Sequence, residues 1–140
     1  AGIDIQQVIE TANVSAIVIG GDGTSAGNTT FDVLEGAVKY HTANVANNWT
    51  LNVRGNSTVM LDSVMSTGNT LSLSYIASQN ATNTFYQTNM EIDGSAVTPK
   101  WQGGSAPTAG NADSLDVYSF TIIKTAANTY TVLGSQTQFA

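Results

Sequence analysis

The chain has 140 residues, of which 41% are hydrophobic and only 10% are charged, and its formal net charge is −6. That length allows one domain with a sizeable core, and the absence of Cys excludes disulfide bonds and thiolate metal sites. The four basic residues provide neither the electrostatic footprint of a nucleic-acid-binding protein nor a basic face for an anionic membrane. We therefore expect no nucleic-acid partner and no membrane partner.

Residues 1–30 differ from the rest of the chain and are predicted to form an amino-terminal arm or docking segment. Within residues 3–14 several apolar residues share a helical spacing, which allows one short helix. An extended arm is an equally good interpretation, and both stay open. Residues 15–21 form a short apolar run that ends in glycines, which predicts a strand. Residues 20–30 are rich in Gly, Ser, Asn and Thr, which predicts a loop.

Residues 31–140 carry strand signals at short intervals and are predicted to form one β domain. The clearest strand lies within residues 48–55, where Trp49, Leu51 and Val53 face one way and the polar residues between them face the other. Residues 57–70 allow a single helical turn or an irregular crossover. Further strands are predicted within residues 31–43, with a break at Gly36, and within residues 70–78, 84–94 and 97–101.

The carboxyl-terminal part predicts a β-hairpin. Residues 114–124 and 128–136 are the two strands, and residues 125–128 supply the turn. Thr suits strands, Asn and Ser suit turns, and the exposed helix formers Lys and Glu are scarce. Some eight strands of this kind predict an all-β fold. The expected architecture is an antiparallel β-sandwich or jelly-roll-like domain, with a short arm or helix at the amino terminus.

No catalytic constellation stands out. His41 is the only histidine, so a Ser–His–Asp hydrolase would have to use it, and the chain has no Gly-x-Ser-x-Gly elbow. A lone His in a strand is more typical of a solvent-facing or interface residue, and zinc needs several His or Cys ligands. We expect no enzyme and no cofactor. A calcium site at Asp22 or at the Asp113 and Asp116 pair is left open as a hypothesis, because carboxylates suit hard cations.

Aromatic residues are candidates for the core or for a sugar platform. Trp49, Tyr118 and Phe120 lie in alternating strands, which favours the core. Phe85 and Tyr86 follow a polar loop and are, together with Trp101, the candidate contacts to a glycan or receptor.

Residues 99–120 contain one of the two Trp residues and both Pro residues, close to a Gly-Gly pair. Pro cannot donate to a strand ladder, and Gly-Gly permits a tight reversal with positive φ. Trp101, Gly103, Gly104 and Pro107 therefore predict an ordered structural loop that is anchored by an inward-folded Trp. The functional alternative is a ligand loop with Trp101 as its exposed platform.

Residues 92–125, IDGSAVTPKWQGGSAPTAGNADSLDVYSFTIIKT, together with the following YTVLGSQTQF, resemble a carboxyl-terminal β module of virion structural proteins. These are tail-fibre-like and other appendage proteins of tailed phages, especially marine and cyanobacterial ones. The shared pattern is a Trp, a Gly-Gly pair, Ala-Pro-Thr, a polar gap and an Asp-Val strand. It is matched here by Trp101, Gly103, Gly104, Ala106, Pro107, Thr108, Asp116 and Val117. The resemblance covers roughly residues 31–140.

This resemblance implies a location in the virion, a homo-oligomeric and usually trimeric assembly, and contacts with other virion proteins. It brings no active-site residue. The function that we expect is therefore that of a phage virion structural protein, the β domain of a tail fibre or other appendage. One alternative is a capsid decoration (cement) protein whose arm contacts the shell. An alternative from another class is a carbohydrate-binding or receptor-binding module that contacts a host surface glycan.

Overall fold

A computed structural model describes residues 2–21 and 27–140, which form two β-sheets around one hydrophobic core. This confirms the prediction of an all-β, sandwich-like domain. Short helical turns occur at Val33–Glu35 (3₁₀), Leu61–Val64 (α1) and Gln102–Gly104 (3₁₀). The strands are β1 Asn13–Ser15, β2 Gly27–Asp32, β3 Val38–Asn44, β4 Trp49–Arg54, β5 Thr70–Ser78, β6 Gln87–Ile92, β7 Ser95–Val97, β8 Lys100–Trp101, β9 Leu115–Ala126 and β10 Thr129–Phe139.

The expectation of purely antiparallel pairing is wrong, because both sheets are mixed. The six-stranded sheet has the order β1-β3-β5-β9-β10-β8, and the four-stranded sheet has the order β2-β4-β6-β7. Pairing is parallel from β1 to β3 to β5, from β2 to β4 to β6, and between β8 and β10. It is antiparallel between β5 and β9, between β9 and β10, and between β6 and β7.

The parallel pairs arise because the chain changes sheet after every strand from β1 to β6. Each strand from β3 to β6 therefore pairs with the strand two earlier, and the intervening strand in the opposite sheet is part of the crossover connection that parallel pairing needs. The four residues 45–48 between β3 and β4 have the length of a hairpin loop, yet they carry the chain between the sheets.

Several local predictions agree with the structure. Strands β4 and β5 lie where the alternation placed them, and the hairpin is β9-β10 with Asn128 at a φ of 52° in its turn. Gly36, with a φ of 132°, separates the first 3₁₀ turn from β3, at the position of the predicted break in the strand. Residues 57–70 contain the helical turn α1.

The amino-terminal predictions agree less well. The strand is Asn13–Ser15, so the strand predicted for residues 15–21 is wrong. Of that apolar run Ile17 and Val18 are exposed and only Ile19 is buried, so the run has no strand-like alternation. Residues 2–12 form neither helix nor strand, so the short helix is wrong, and the arm stays a prediction. Within the predicted loop, residues 22–26 lie outside the described part of the chain.

The centre of the core is an aromatic cluster to which both sheets contribute. Trp49, Tyr118 and Phe120 are buried, as predicted, together with Tyr75. The indole Nε1–H of Trp49 donates a hydrogen bond to the Tyr75 hydroxyl across 3.0 Å. The rings of Tyr75 and Tyr118 stack with their centroids 5.0 Å apart. Burial raises the pKa of both tyrosine hydroxyls well above the ordinary value, so the cluster remains neutral at physiological pH.

A buried lysine fixes α1 to the six-stranded sheet. The Nζ of Lys124 donates to the carbonyl oxygens of Asp62 and Met65 across 2.7 and 2.8 Å. The Nζ of Lys124 also forms a salt bridge with the Asp62 carboxylate at 2.8 Å. The hydrogen bond that Lys124 donates to this carboxylate is the main cause of the lowered pKa of Asp62. The backbone N–H groups of Leu61 and Asp62 donate to the carboxylate of Asp93, which satisfies the open end of this single turn.

Candidate functional site

The three aromatic residues predicted to contact a glycan do not share a cavity. Trp101 is half-buried, and its ring packs edge-to-face on Phe120 with the centroids 5.6 Å apart, on the inner side of the six-stranded sheet. Phe85 is half-buried against the core, and Tyr86 is also half-buried. Neither of them lines the three cavities that Trp101 borders. A glycan contact at each residue stays a prediction, but the geometry does not join the three into one platform.

The segment around Trp101 is an ordered loop held from both ends. Gly103 and Gly104 have φ values of 78° and 82°, the positive values expected for the reversal. Pro107 is half-buried and lies with Trp101 along the same two cavities. The inward-folded Trp of the structural interpretation is therefore present, although its ring is not fully enclosed.

The far end of this loop is fixed by the buried carboxylate of Asp116. It accepts hydrogen bonds from the backbone N–H and the side-chain amide of Asn111 across 2.9 and 2.8 Å, and from the amide of Gln79 across 3.3 Å. Asp113 is exposed and Asp22 lies outside the described residues. Within residues 2–21 and 27–140 no three His, Cys, Asp or Glu side chains form a group able to hold a metal ion. The calcium site stays a hypothesis.

His41 is buried inside the domain, so the prediction of a solvent-facing or interface residue is wrong. It is 1% exposed, because its position in β3 points to the inner face of the sheet. Its Nδ1–H donates to the carbonyl oxygen of Ile17 across 3.0 Å and so ties the segment after β1 to the domain. Burial lowers the pKa of His41, the Ile17 carbonyl opposes that shift, and the positive charge of Lys39 adds to it.

Stability is therefore expected to fall on mild acidification. Because the folded-state pKa of His41 lies below the unfolded value of about 6.5, the unfolded chain takes up the proton first as the pH falls. The free energy of unfolding should then decrease by up to about 1.4 kcal/mol per pH unit below about pH 6.5. Urea unfolding followed by circular dichroism between about pH 5 and 7 measures this slope. His41→Gln keeps an N–H donor but does not titrate, and an unchanged slope in that variant would contradict the assignment.

The most unusual feature of the surface is the segment of residues 2–12, which we call the arm. Ile3 and Ile9 are 86% and 91% exposed, and Ile5 and Val8 are more than half exposed. Single exposed aliphatic side chains are common on protein surfaces, but four within seven residues form an apolar strip. Such a strip is typical of a segment that is buried against a partner.

An apolar cavity, which we call the hollow, lies beside the base of the arm. It has a volume of about 310 Å³. The carbonyl oxygen of Thr11 lies 3.5 Å from the position that a Cβ on Gly36 would occupy, so the arm leaves the domain at the rim. Leu34 and Val64 are 53% and 41% exposed there. The lining residues are Val33, Leu34, Gly36, Ala37, Val64, Leu71, Ser72 and Leu73.

The sequence predicts an arm over residues 1–30, of which the structure places residues 13–15 and 27–30 in the two sheets. The hollow was not predicted, because its walls come from three separate stretches of the chain. The first 3₁₀ turn, α1 and β5 meet there only because of the sheet order. Comparison of the chain with protein-family models, curated proteins and solved structures finds no match. No helix in the described part of the chain is long and apolar enough to cross a membrane.

Proposed function

We propose that this chain is a non-catalytic subunit of a homotrimeric structural assembly in a phage virion, the β domain of a tail fibre or other appendage. The observation that carries the proposal is the arm, whose apolar side chains extend from a folded β domain into solvent. The resemblance of residues 92–125 to virion β modules supports the location. Other virion proteins are then the natural neighbours of the assembly.

The hollow of a neighbouring copy is the proposed acceptor for the arm. Arm and hollow are both apolar and both exposed in the single chain, and they lie side by side at Gly36. Full burial of one aliphatic side chain contributes about 1.5–3 kcal/mol. Four such side chains per arm offset an association cost of about 4–15 kcal/mol. Exchange of arms around a ring would link every copy to the next.

Deletion of residues 1–9 is expected to convert the assembly into monomers, because it removes the four exposed aliphatic side chains and leaves β1 intact. Light scattering across a dilution series measures the mass of the full chain and of the shortened chain. The full chain should remain a trimer as it is diluted. The shortened chain should be a monomer with an unchanged circular dichroism spectrum and urea midpoint.

A matched variant of full length separates the effect of removing the apolar side chains from the effect of shortening the chain. The triple change Ile3→Ser, Ile5→Ser and Ile9→Ser should dissociate the assembly in the same way, and so should Val64→Ser in the hollow. A trimer that persists without the arm would overturn the proposal. A full chain that is monomeric at all concentrations, yet binds isolated capsids through its arm, would instead favour the decoration protein.

A further inference from the structure

The outward faces of the two sheets have different chemistry. In β9 the residues Asp116, Tyr118, Phe120 and Ile122 are buried, so the residues between them point away from the core. The strand register then identifies the outward residues of β1, β3, β5 and β10. We call the outward residues of these five strands, β9 included, the neutral face.

The neutral face has an apolar row beside a hydroxyl row. The apolar row runs across four neighbouring strands and ends at Thr137 in the fifth, β10. Its members are half-buried or exposed: Val14, Tyr40, Ile76 and Val117. The adjacent row contains Ser74, Ser119 and Ser135, with the hydroxyls of Ser74 and Ser119 2.9 Å apart. These hydroxyls satisfy one another in part, which lowers the cost of removing water from them.

The neutral face carries no carboxylate at any outward position that the structure describes. Charges lie at its edges: Lys100 in the edge strand β8, and Glu35, whose carboxylate accepts a hydrogen bond from Asn13 of β1. The outward face of the four-stranded sheet is the opposite case. There Asp32 pairs with Arg54 at 2.7 Å, and Glu91 lies among Asn and Thr side chains. The outward face of the four-stranded sheet therefore carries charged groups that favour contact with water. The neutral face has the depletion of charge that is typical of the centre of a protein interface.

A second copy of the chain fits the neutral face because that face lacks carboxylates and has the area of a subunit contact. Two copies of charge −6 repel each other, and a contact through carboxylates would add desolvation to that repulsion. Contact through the neutral face avoids the desolvation of carboxylates and keeps the negative charges of the two copies further apart. Four to six strands at about 4.8 Å spacing and about 30 Å of strand length give an area on the order of 600–800 Å². A stable interface needs about 800 Å² per partner.

We infer that copies of this chain associate through the neutral face, with the apolar row at the centre of the contact. This inference rests on the proposed function and names the surface that the assembly buries. In a trimer the three six-stranded sheets would surround the axis, and the four-stranded sheets would face water. The arms would then add a second contact at the side of each domain.

The same substitution in the central strands of the two sheets tests this inference. Thr121 in β9 and Thr50 in β4 are both half-buried and both point outward, one on the neutral face and one on the charged face. Thr121→Glu and Thr50→Glu change the net charge and the strand propensity equally. By light scattering, Thr121→Glu should be a monomer and Thr50→Glu should keep the mass of the unmodified chain.

The outcomes separate this inference from the proposed function. If both Glu variants keep the mass of the assembly while arm deletion abolishes it, the neutral face is not the interface and the proposed function stands. If both variants are monomers, general repulsion explains the result and the inference falls. If the unmodified chain is itself a monomer, the inference and the proposed self-assembly fail together.

Thiol labelling provides a readout that does not depend on a disruptive charge. The chain has no Cys, so Thr121→Cys and Thr50→Cys each introduce a single reactive group of nearly the same size as Thr. Thr121→Cys should react slowly with a maleimide at concentrations where the assembly forms, and faster on dilution. Thr50→Cys should react at one rate throughout. Equal rates at the two sites at high concentration would overturn the inference.

Discussion

Replacement of Trp49 by Ala is expected to lower the free energy of unfolding by about 3–5 kcal/mol, the range for a buried aromatic residue. The side chain is fully buried, and its ring lies 5.5 Å from that of Tyr118 and 6.4 Å from that of Tyr75. The substitution would leave a cavity between the sheets and remove the hydrogen-bond donor to the Tyr75 hydroxyl. A single domain has only about 5–15 kcal/mol of stability, so this variant would be near the threshold of unfolding.

Urea unfolding followed by far-ultraviolet circular dichroism measures this loss. The matched control is Trp101→Ala, which removes the same side chain from a half-buried position against Phe120 and should cost clearly less. Trp49→Phe keeps most of the apolar volume but not the N–H donor, and should cost about 1–3 kcal/mol. A loss below about 1 kcal/mol in Trp49→Ala would show that Trp49 is not the centre of the core.

The sequence pattern predicts the strands of this fold but not how they pair. Trp49, Leu51 and Val53 alternate with polar residues whether β4 has parallel or antiparallel neighbours, because alternation reports only which face is buried. Residues 45–48 are as short as a hairpin loop, although they join two sheets. The β9-β10 hairpin is different, since its turn residues and its long flanking strands both indicate antiparallel pairing.

The burial of certain polar residues could not be predicted from the sequence, for a physical reason. Asp and Lys are usually exposed and His is intermediate, yet Asp116, Lys124 and His41 are all buried. Each has a hydrogen-bond partner distant in sequence: Gln79 for Asp116, the carbonyl groups of α1 for Lys124 and the Ile17 carbonyl for His41. Those partners are known only once the strands are placed. For the same reason the arm could be predicted from residues 1–30, whereas the hollow and the neutral face depend on register across several strands.

The glycines in the loop before β9 also have different structural roles that the sequence does not reveal. Gly103 and Gly104 have positive φ, and open space surrounds the position that a Cβ would take on each. Gly110 is the reverse case. It is buried, its N–H donates to the Thr84 carbonyl across 2.8 Å, and a Cβ on it would overlap the carbonyl oxygen of Phe85 and the side-chain amide of Gln79. The sequence predicts a reversal at Gly103 and Gly104 and does not single out Gly110, yet Gly110 is the one of the three that a close approach of two backbone segments requires.

Gly110→Ala is therefore expected to cost about 3 kcal/mol, the upper part of the usual range for an overpacked interior, because a backbone carbonyl cannot move aside as a side chain can. Gly104→Ala is the matched control in the same loop. It should lose only about 1–2 kcal/mol, since it introduces positive-φ strain without a clash. Urea unfolding of both variants gives the comparison. If Gly110→Ala were the milder change, the loop would not be packed against residues 79–86, and the anchoring role of Asp116 and Asn111 would fall with it.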